Sequence, residues 1–450
     1  MAAMEKKNIN ILSCSDFTGG INTAVPPQQL QENEYQVIQN FEYDFNRLVT
    51  RGGLSAPLVT YEKEILSVFY NNGLNQFLVC LSDGSIWEEN LDTLHNKVGT
   101  LSGNRKPNYC RFDGKVFIAS GGKLQYYDSS AHTVTTIDSS YNCDYVWESQ
   151  SRLVISCMGD DNIYYSATGN PYETGWTEDT DSDSSSKWLE VGYKDDGDIL
   201  KVLPISGDIA TFKSNGKVYD TNGFYTSWNT SLAGDNSDVL TADGIIVLGS
   251  TITFCTNKGL RTLEAVQNYG NFTINELGRK FNRNLEKEVN QPRLYNLVRK
   301  RQLIIQPDTK TNTGNLYCLQ YDMGACVELS FPLDIKDMAD TQDGIIIAGR
   351  NSLYRWAKRY TTDKTGIPIE QKLVTRQLSS STSIITRKFD VAVTGSGTLH
   401  LKWANKDVLF KVGRKRRVVH CFSVCRDSVL GIETNGNVAI DFINLYAGEN

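Results

Sequence analysis

The fold is decided by a strand-rich unit that first appears as ILSVFYNNGLNQFLVCLSDGSIWEENL, from Ile65 to Leu91. A short strand leads through an Asn-Gly turn into an almost unbroken apolar strand, and an Asp-Gly turn then leads into an alternating strand. Both dipeptides tolerate the positive φ that tight hairpins need. The stretch therefore predicts an antiparallel unit whose central strand, near Phe77, is buried on both faces.

The same pattern recurs along the chain. Its further copies span Tyr109–Asp128, Tyr145–Ser166, Ile199–Thr221, Leu240–Glu264, Arg293–Asp322 and Asp334–Ala357. Their central strands lie 37 to 56 residues apart, and a four-stranded propeller blade takes roughly 40–50 residues. A single unit cannot bury both faces, whereas units packed around a ring bury every inner strand. The repeat therefore predicts an all-β protein with a β-propeller of about seven blades, with six to eight permitted by drifting repeat boundaries.

Three stretches fall outside the repeat and set the predicted domains. We predict an extended N-terminal arm over 1–60, a propeller over 61–365 with a loop insertion at 166–192, and a C-terminal β domain over 366–450. The last segment alternates apolar and polar residues, which favours a small sandwich-like domain. Apolar residues recurring every four positions predict one helix at 275–290.

Composition excludes several classes of protein. The 450 residues carry a net charge of −6, which disfavours general nucleic-acid binding. No apolar run approaches the roughly 18 residues of a transmembrane segment, and the polar opening MAAMEKKNINIL lacks the apolar core of a signal peptide. The 10 cysteines include no CxxC pair and are predicted to be reduced core residues. We expect synthesis in a cytoplasm.

One acidic string has the spacing of a calcium loop. Asp179, Asp181, Asp183 and Glu190 match loop ligands at positions 1, 3, 5 and 12. Ser184 stands where such loops need glycine, so a solvated acidic loop is the favoured interpretation. We predict no cofactor, with calcium as the weaker alternative.

Catalytic patterns are missing from the sequence. The four histidines are scattered, and there is no nucleophile elbow, no phosphate-binding loop and no distinguished carboxylate pair. We predict no catalytic residues and no small-molecule substrate. Basic runs at 299–301 and 414–417 favour solvated or salt-bridged hairpins over nucleic-acid binding.

Residues 16–54 read DFTGGINTAVPPQQLQENEYQVIQNFEYDFNRLVTRGGL. This stretch resembles the N-terminal signature of bacteriophage tail nozzle and tail tubular protein B-like propeller proteins. The matching positions are Gly19, Gly20, Ile21, Asn22, Pro26, Pro27, Leu30, Glu34, Asn40, Arg51 and Gly52. NIYYSATGNPYETGW, from Asn162 to Trp176, is similar to a strand and Gly-Asn-Pro turn of phage nozzle, hub and DNA-stabilisation propellers.

The resemblance implies a structural virion protein of a phage tail, made in the bacterial host cytoplasm. It implies a homo-oligomeric ring, commonly a homohexamer, acting as nozzle or hub. Genomic DNA would pass through without sequence-specific binding, and other tail components would bind the ring: an adaptor or portal-proximal ring, and fibres or a needle. Many nozzle proteins are longer, so nozzle, hub and another tail ring all stay open.

The resemblance also implies site residues. The predicted oligomer contacts of the arm are Gly19, Gly20, Asn22, Pro26, Pro27, Asn40 and Arg51. The predicted docking loop comprises Gly169, Asn170, Pro171 and Trp176. We expect that deletion of residues 1–45 leaves a folded propeller that no longer forms rings. The alternative functions are a carbohydrate-binding or receptor-recognition propeller and a propeller glycosidase.

Overall fold

The computed structural model describes residues 8–45, 47–177, 186–205, 207–223, 227–235, 237–266, 271–311, 314–364, 366–414 and 416–448. The N-terminal strands are β1 Asn8–Cys14, β2 Gly20–Ile21, β3 Glu34–Tyr35, β4 Val37–Gln39, β5 Phe41–Asp44, β6 Arg47–Thr50, β7 Gly53–Leu54 and β8 Val59–Thr60. Blade one contains β9 Ile65–Asn71, β10 Gln76–Leu81, β11 Ser85–Glu89 and β12 His95–Thr100. Blade two contains β13 Asn108–Phe112, β14 Lys115–Ala119, β16 Gln125–Asp128 and β17 Thr133–Thr136, with a side pair of β15 Gly122–Lys123 and β18 Asn142–Cys143.

The next three blades repeat the four-stranded antiparallel order. Blade three contains β19 Tyr145–Ser149, β20 Arg152–Ser156, β21 Asn162–Tyr165 and β22 Lys187–Glu190. Blade four contains β23 Ile199–Ile205, β24 Asp208–Lys213, β25 Val218–Asn222 and β26 Asn229–Gly234. Blade five contains β27 Ile245–Leu248, β28 Thr251–Thr256, β29 Gly259–Val266 and β30 Asn271–Glu276.

The remaining elements complete the ring and the C-terminal domain. Helix α1, Asn282–Glu288, precedes blade six, and short 3-10 turns lie at Pro27–Gln29, Glu173–Trp176, Ala242–Gly244 and Val298–Lys300. Blade six contains β31 Arg293–Leu297, β32 Gln302–Gln306, β33 Asn315–Gln320 and β34 Ala325–Ser330. Blade seven contains β35 Asp337–Thr341, β36 Gly344–Ala348 and β37 Ser352–Ala357. The last strands are β38 Thr362–Asp363, β39 Ile367–Pro368, β40 Glu370–Trp403, β41 Lys406–Lys411 and β42 Arg417–Gly448.

Strand β10 shows why the blades stack. Successive side chains of a strand point to opposite faces. Phe77, Val79 and Leu81 accordingly pack toward blade seven, and Leu78 and Cys80 pack toward blade two. Equivalent apolar clusters lie at each of the remaining interfaces between neighbouring blades. An unbroken apolar central strand is therefore what a ring of blades requires.

The N-terminal segment closes the ring. Gly53 and Leu54 of β7 pair with β37, and Val59 and Thr60 of β8 pair with the same strand. Blade seven thus receives its outer strands from the beginning of the chain. The predicted boundary after residue 60 assigns both strands to the N-terminal arm, whereas they belong to the sheet of blade seven.

The C-terminal domain is built from both ends of the chain. The long strands β40 and β42 pair with each other, β1 and β6 pair with β42, and β4 joins β40 to β34 of blade six. One apolar cluster runs from Trp356 of blade seven through Phe41 to Trp403. The domain therefore shares its core with the propeller.

These observations confirm the predicted all-β propeller of about seven blades with a C-terminal β domain. Helix α1 is shorter than the predicted 275–290, because residues 271–276 belong to β30. The Asn435-Gly436 dipeptide, a pair typical of hairpin turns, lies instead within β42, with Gly436 opposite Gly397. Gly436 has φ +96° there, and a Cβ would collide with the backbone of Ser396. Close strand approach, not chain reversal, requires this glycine.

Candidate functional site

The first strands of the blades surround a cavity of about 390 Å³ on the propeller axis. Its charged lining residues are Arg105, Lys106, Asp144, Lys201, Asp243, Arg293 and Asp337. Tyr145, Tyr295, Leu203 and Ile245 supply less polar wall. Convergent charge beside apolar surface is typical of ligand pockets.

Three ion pairs bridge different blades at this cavity. They are Arg105 with Asp144, Lys106 with Asp337, and Arg293 with Asp243. The N–O distance is 2.9 Å for the Lys106 pair and 2.7 Å for the Arg293 pair. Burial alone would raise the pKa of Asp243, but the surrounding cations hold that pKa well below its usual range.

Lys201 is the fourth cation of the axial cavity. Its Nζ lies 5.2 Å from the centroid of the Tyr145 ring, and among the described residues it has no ion pair and no hydrogen bond. Burial lowers the pKa of Lys201, the Asp243 carboxylate opposes this, and the charges of Lys106 and Arg293 lower it further. The cavity therefore contains one unneutralised positive charge.

The axial residues are absent from the sequence-based predictions. Arg105 and Lys106 are adjacent, and each of the others is a single charge of the lining in or beside a blade's first strand, as Lys201 is in ILKVLPI. The sequence repeat is defined by the apolar central strands, whereas the cavity is lined from the first strands, so the repeat does not indicate these charges. These charges all lie within three residues of the first residue of a blade's first strand, and this shared position is the sequence signal that marks them.

The predicted arm contacts lie mostly inside their own chain. A Cβ on Gly19 would collide with the backbone of Asn33, and one on Gly20 would lie 2.7 Å from the Cys326 amide nitrogen. Asn22 is buried and accepts a 3.0 Å hydrogen bond from the Ala24 amide. Because tight intramolecular packing fixes these residues, the segment is not a free arm.

Pro26 and Pro27 differ from the other predicted arm contacts. Pro26 is exposed and Pro27 is half-buried. They line a groove together with Arg283 and Lys287 beside helix α1. These two prolines are the predicted arm contacts that stay available to a neighbouring molecule.

Asn40 and Arg51 form a buried connection between three parts of the fold. Asn40 has φ +60°, and its side chain donates to the Glu370 carbonyl at 2.7 Å. Arg51 is 2% exposed and makes a bidentate ion pair with Asp363. Its Nη2 also donates to the Ser330 carbonyl at 2.6 Å. Both residues hold the fold together from within.

The predicted docking loop is also anchored. Trp176 is 2% exposed and packs in the apolar cluster between blades two and three. Its indole nitrogen donates to the Pro171 carbonyl at 2.8 Å, and the Asn170 amide donates to Thr174 Oγ1 at 2.9 Å. Gly169, with φ +67°, lies exposed at the tip. Of the four predicted docking residues, Gly169 is therefore fully exposed, Asn170 is half-buried, and Pro171 and Trp176 are buried.

The acidic string cannot be placed as a site. Asp179, Asp181 and Asp183 lie outside the described residues, and Glu190 ends β22. Within the described ranges, no group of three or more His, Cys, Asp and Glu side chains is arranged to hold a metal ion. Over the same ranges, the helices are too short and polar to cross a bilayer.

The basic runs are largely neutralised by neighbouring acids. Arg299 pairs with Asp340, Lys300 with Glu42, Arg301 with Asp322 and Arg416 with Asp390. These pairs confirm the predicted salt-bridged hairpins for four of the basic residues. The run at 299–301 is therefore fully paired within the chain, and the run at 414–417 is paired at Arg416.

An apolar stripe lies exposed on the C-terminal domain. Val418, Phe422 and Val424 are 51%, 64% and 52% exposed, and they alternate with the buried Cys421 and Ser423. Among the described residues, the strand segment 417–425 pairs on one side only, with β40. An exposed apolar edge strand is typical of a surface that another chain covers. We call these three residues the C-terminal stripe.

The chain's charge is divided between its two parts. Residues 366–450 hold 12 Lys and Arg against 7 Asp and Glu, and residues 1–365 hold 34 against 45. The overall charge of −6 therefore splits into +5 and −11. The C-terminal stripe thus belongs to the positive part of an otherwise acidic chain.

A pH effect is expected at Glu328, where blade six meets β4. Burial, reinforced by the charge of Glu288, raises the pKa of Glu328 to about 7. Folding then favours the protonated form, so its stabilisation is complete below the unfolded pKa near 4.5 and is lost as pH rises through 7. As the pH rises from 5 to 8, the free energy of unfolding of Glu328→Gln should therefore increase by about 2 kcal/mol relative to that of the native chain.

Urea unfolding of both chains at the two pH values measures this gain. Glu286→Gln, which removes an exposed carboxylate from helix α1, is the matched control and should give no pH-dependent difference. An equal stability difference at both pH values would contradict the assignment to Glu328.

Comparison with known proteins gives fold similarity alone. No protein-family model matches the chain, and no curated protein matches it significantly. The extracellular domain of BT4673 from B. thetaiotaomicron is similar with a TM-score of 0.49 and 11% identity, over 86% of this chain and 59% of that one. The Cps50 (Swd1) β-propeller domain of Myceliophteria thermophila is similar with a TM-score of 0.46 and 8% identity, over 66% of this chain and 98% of that one. PorZ of the type-IX secretion system of Porphyromonas gingivalis is similar with a TM-score of 0.42 and 13% identity, over 80% of this chain and 46% of that one. This chain thus spans about three fifths of the BT4673 domain.

Proposed function

We propose that this chain is a structural subunit of a bacteriophage tail and assembles into a homo-oligomeric ring, as a nozzle or hub. The resemblance over residues 16–54 supports the proposal. In the fold, this segment ties the propeller to the C-terminal domain through Asn40 and Arg51. A rigid two-part subunit suits a mechanical role without a chemical step.

The exposed C-terminal stripe is the observation that carries the proposal. Three apolar side chains on an unpaired edge are costly in water and favour a permanent partner. The stripe belongs to a region of charge +5, whereas the rest of the chain carries −11. Charge complementarity therefore favours a second copy of this chain as the partner.

The same charge division favours a head-to-tail contact. A two-fold contact between stripes would bring two positive domains together, which electrostatic repulsion opposes. Contact between one copy's stripe and the next copy's acidic part avoids this repulsion. Such heterologous contacts close into rings when the rotation allows.

Phe422→Asp should abolish ring formation. A buried aromatic anchor at such a contact is worth at least about 2 kcal/mol, so the association should weaken by about 30-fold or more. Light scattering after size-exclusion chromatography, with electron micrographs of the purified protein, measures the assembly. Leu232→Asp is the matched control, because Leu232 is 53% exposed on the outer strand of blade four.

Three outcomes would overturn this assignment. They are rings formed equally well by Phe422→Asp, the same loss with Leu232→Asp, and a native chain that stays monomeric at high concentration. Added salt should weaken the native assembly, since its charges are partly exposed.

The remaining parts of the proposal concern the virion. Six-fold symmetry, contacts with an adaptor or portal-proximal ring, and contacts with fibres or a needle are proposed from the resemblance. Genomic DNA would pass along the ring axis. A lumen lined by acidic chains would repel DNA phosphates and keep the passage from binding them.

A further inference from the structure

The axial cavity has a charge pattern that none of the proposed tail functions uses. Four cations and three carboxylates line it, so its balance is one positive charge. Three of the cations are matched in ion pairs. The fourth, Lys201, lines the cavity with no ion-pair or hydrogen-bond partner among the described residues.

Each of the three carboxylates makes close contacts with other groups, and none of them forms an ion pair with Lys201. Asp144 Oδ2 accepts a 2.7 Å hydrogen bond from the Met158 amide in addition to its ion pair with Arg105. Asp337 Oδ2 accepts a 2.9 Å hydrogen bond from the Val68 amide. Asp243 binds Arg293 through Nε and Nη2. These contacts fix the carboxylates and leave the positive charge at Lys201.

Lys201 is held in this position by its strand. It lies on β23, the first strand of blade four, between the half-buried Leu200 and the buried Val202. Tyr145 beside it is fixed by a 2.8 Å hydrogen bond from its hydroxyl to the Leu200 carbonyl. The ammonium therefore stands over a positioned aromatic ring and cannot easily retreat to bulk water.

The charge balance limits what could bind. A dianion such as phosphate would exceed the single positive charge and meet repulsion from three carboxylates. A monoanion restores neutrality. The apolar wall of Leu203, Ile245 and Tyr145 favours an organic group over a hydrated inorganic ion.

We propose that the axial cavity binds an organic monocarboxylate, with Lys201 as its principal cationic contact. The cavity of about 390 Å³ falls within the size range of small-ligand pockets. The carboxylate could come from a free acid or from the C-terminus of a peptide. The shared chemistry is a single carboxylate with an apolar body.

Isothermal titration with sodium benzoate, at constant ionic strength set with sodium chloride, tests the proposal. The native chain should bind saturably, and Lys201→Met should weaken binding at least tenfold. Lys217→Met is the matched control, because Lys217 lies on blade four in an ion pair with Asp195 outside the cavity. This control should bind like the native chain.

A second variant keeps the test decisive if Lys201→Met is poorly folded. Asp243→Asn removes one negative charge from the cavity wall, so benzoate should bind several-fold more tightly. Absence of saturable binding at about 10 mM ligand, or unchanged affinity in both variants, would overturn the proposal.

Two further titrations, each with a peptide, distinguish the possible sources of the carboxylate. An N-acetylated alanine tripeptide is titrated with its C-terminus either free or amidated. Tighter binding of the free form than of benzoate would indicate a peptide terminus, and binding of benzoate alone would indicate a free acid. Equal binding of both peptide forms would contradict carboxylate recognition. Phe422→Asp should leave all these affinities unchanged, because Phe422 lies in the C-terminal domain.

Discussion

Deletion of residues 1–45 is expected to unfold the C-terminal β domain while blades two to four keep their native structure. The deletion removes β1, β4 and β5, which pair with β42, β40 and β6. It also removes Phe17, Tyr35, Ile38 and Phe41, which are all at most 1% exposed in the shared core. Each such loss costs about 3 kcal/mol or more, so the domain cannot retain its packing.

Hydrogen exchange of the backbone amides measures this outcome region by region. Amides of 438–445 should lose protection, because β1 is removed from one side of β42 and β6, which remains, loses its other partner β5. Amides of blades two to four provide the internal control, since those blades lie away from the deleted strands. Retained protection over 438–445 would show that the segment is dispensable, as the arm prediction expects.

Arg51→Ala is expected to destabilise the protein by about 3–5 kcal/mol, because it leaves Asp363 charged and unpaired in the interior. All five guanidinium N–H groups of Arg51 are used. They bind Asn40 Oδ1 at 3.0 Å, the Gly52 carbonyl and Asp363 Oδ1 at 2.9 Å each, and the Ser330 carbonyl and Asp363 Oδ2 at 2.6 Å each. The guanidinium carbon also lies 4.1 Å from the centre of the Phe331 ring.

Urea unfolding of a variant series separates charge from geometry. Arg51→Lys keeps the charge but cannot form the bidentate fork, so it should still lose a large part of the stability. Arg51→Met combined with Asp363→Asn removes both charges and should recover most of the loss. A cost below about 1 kcal/mol for Arg51→Ala would contradict the buried-pair assignment.

The propeller could be predicted because its signal repeats locally. One face of β10 carries Phe77, Val79 and Leu81, and the other carries Leu78 and Cys80. Because side chains alternate between the faces of a strand, five consecutive apolar residues indicate burial on both faces. The contacts of the N-terminal segment were missed because they are remote in sequence. Arg51 and Asp363 are 312 residues apart, and no local pattern couples them.

The glycines and prolines of residues 16–54 show the same limit. Gly-Gly and Pro-Pro elements fit an extended arm and a tightly packed segment equally well, because both need unusual backbone conformations. The residues that contact this segment in the folded chain decide whether it is an extended arm or a packed segment. Gly20 lies against the backbone of Cys326 in blade six, a contact that only the fold creates.

The pairing of the chain's two ends has a consequence for synthesis. Asn8 lies opposite Gly448, so β1 can pair only after residues 443–448 have been synthesised. At about 10 residues per second, a ribosome needs about 44 s to make the 440 residues (448 minus 8) that separate these two partners. A product terminated before β42 lacks the partner of β1 and of β40, so the C-terminal domain cannot form on it.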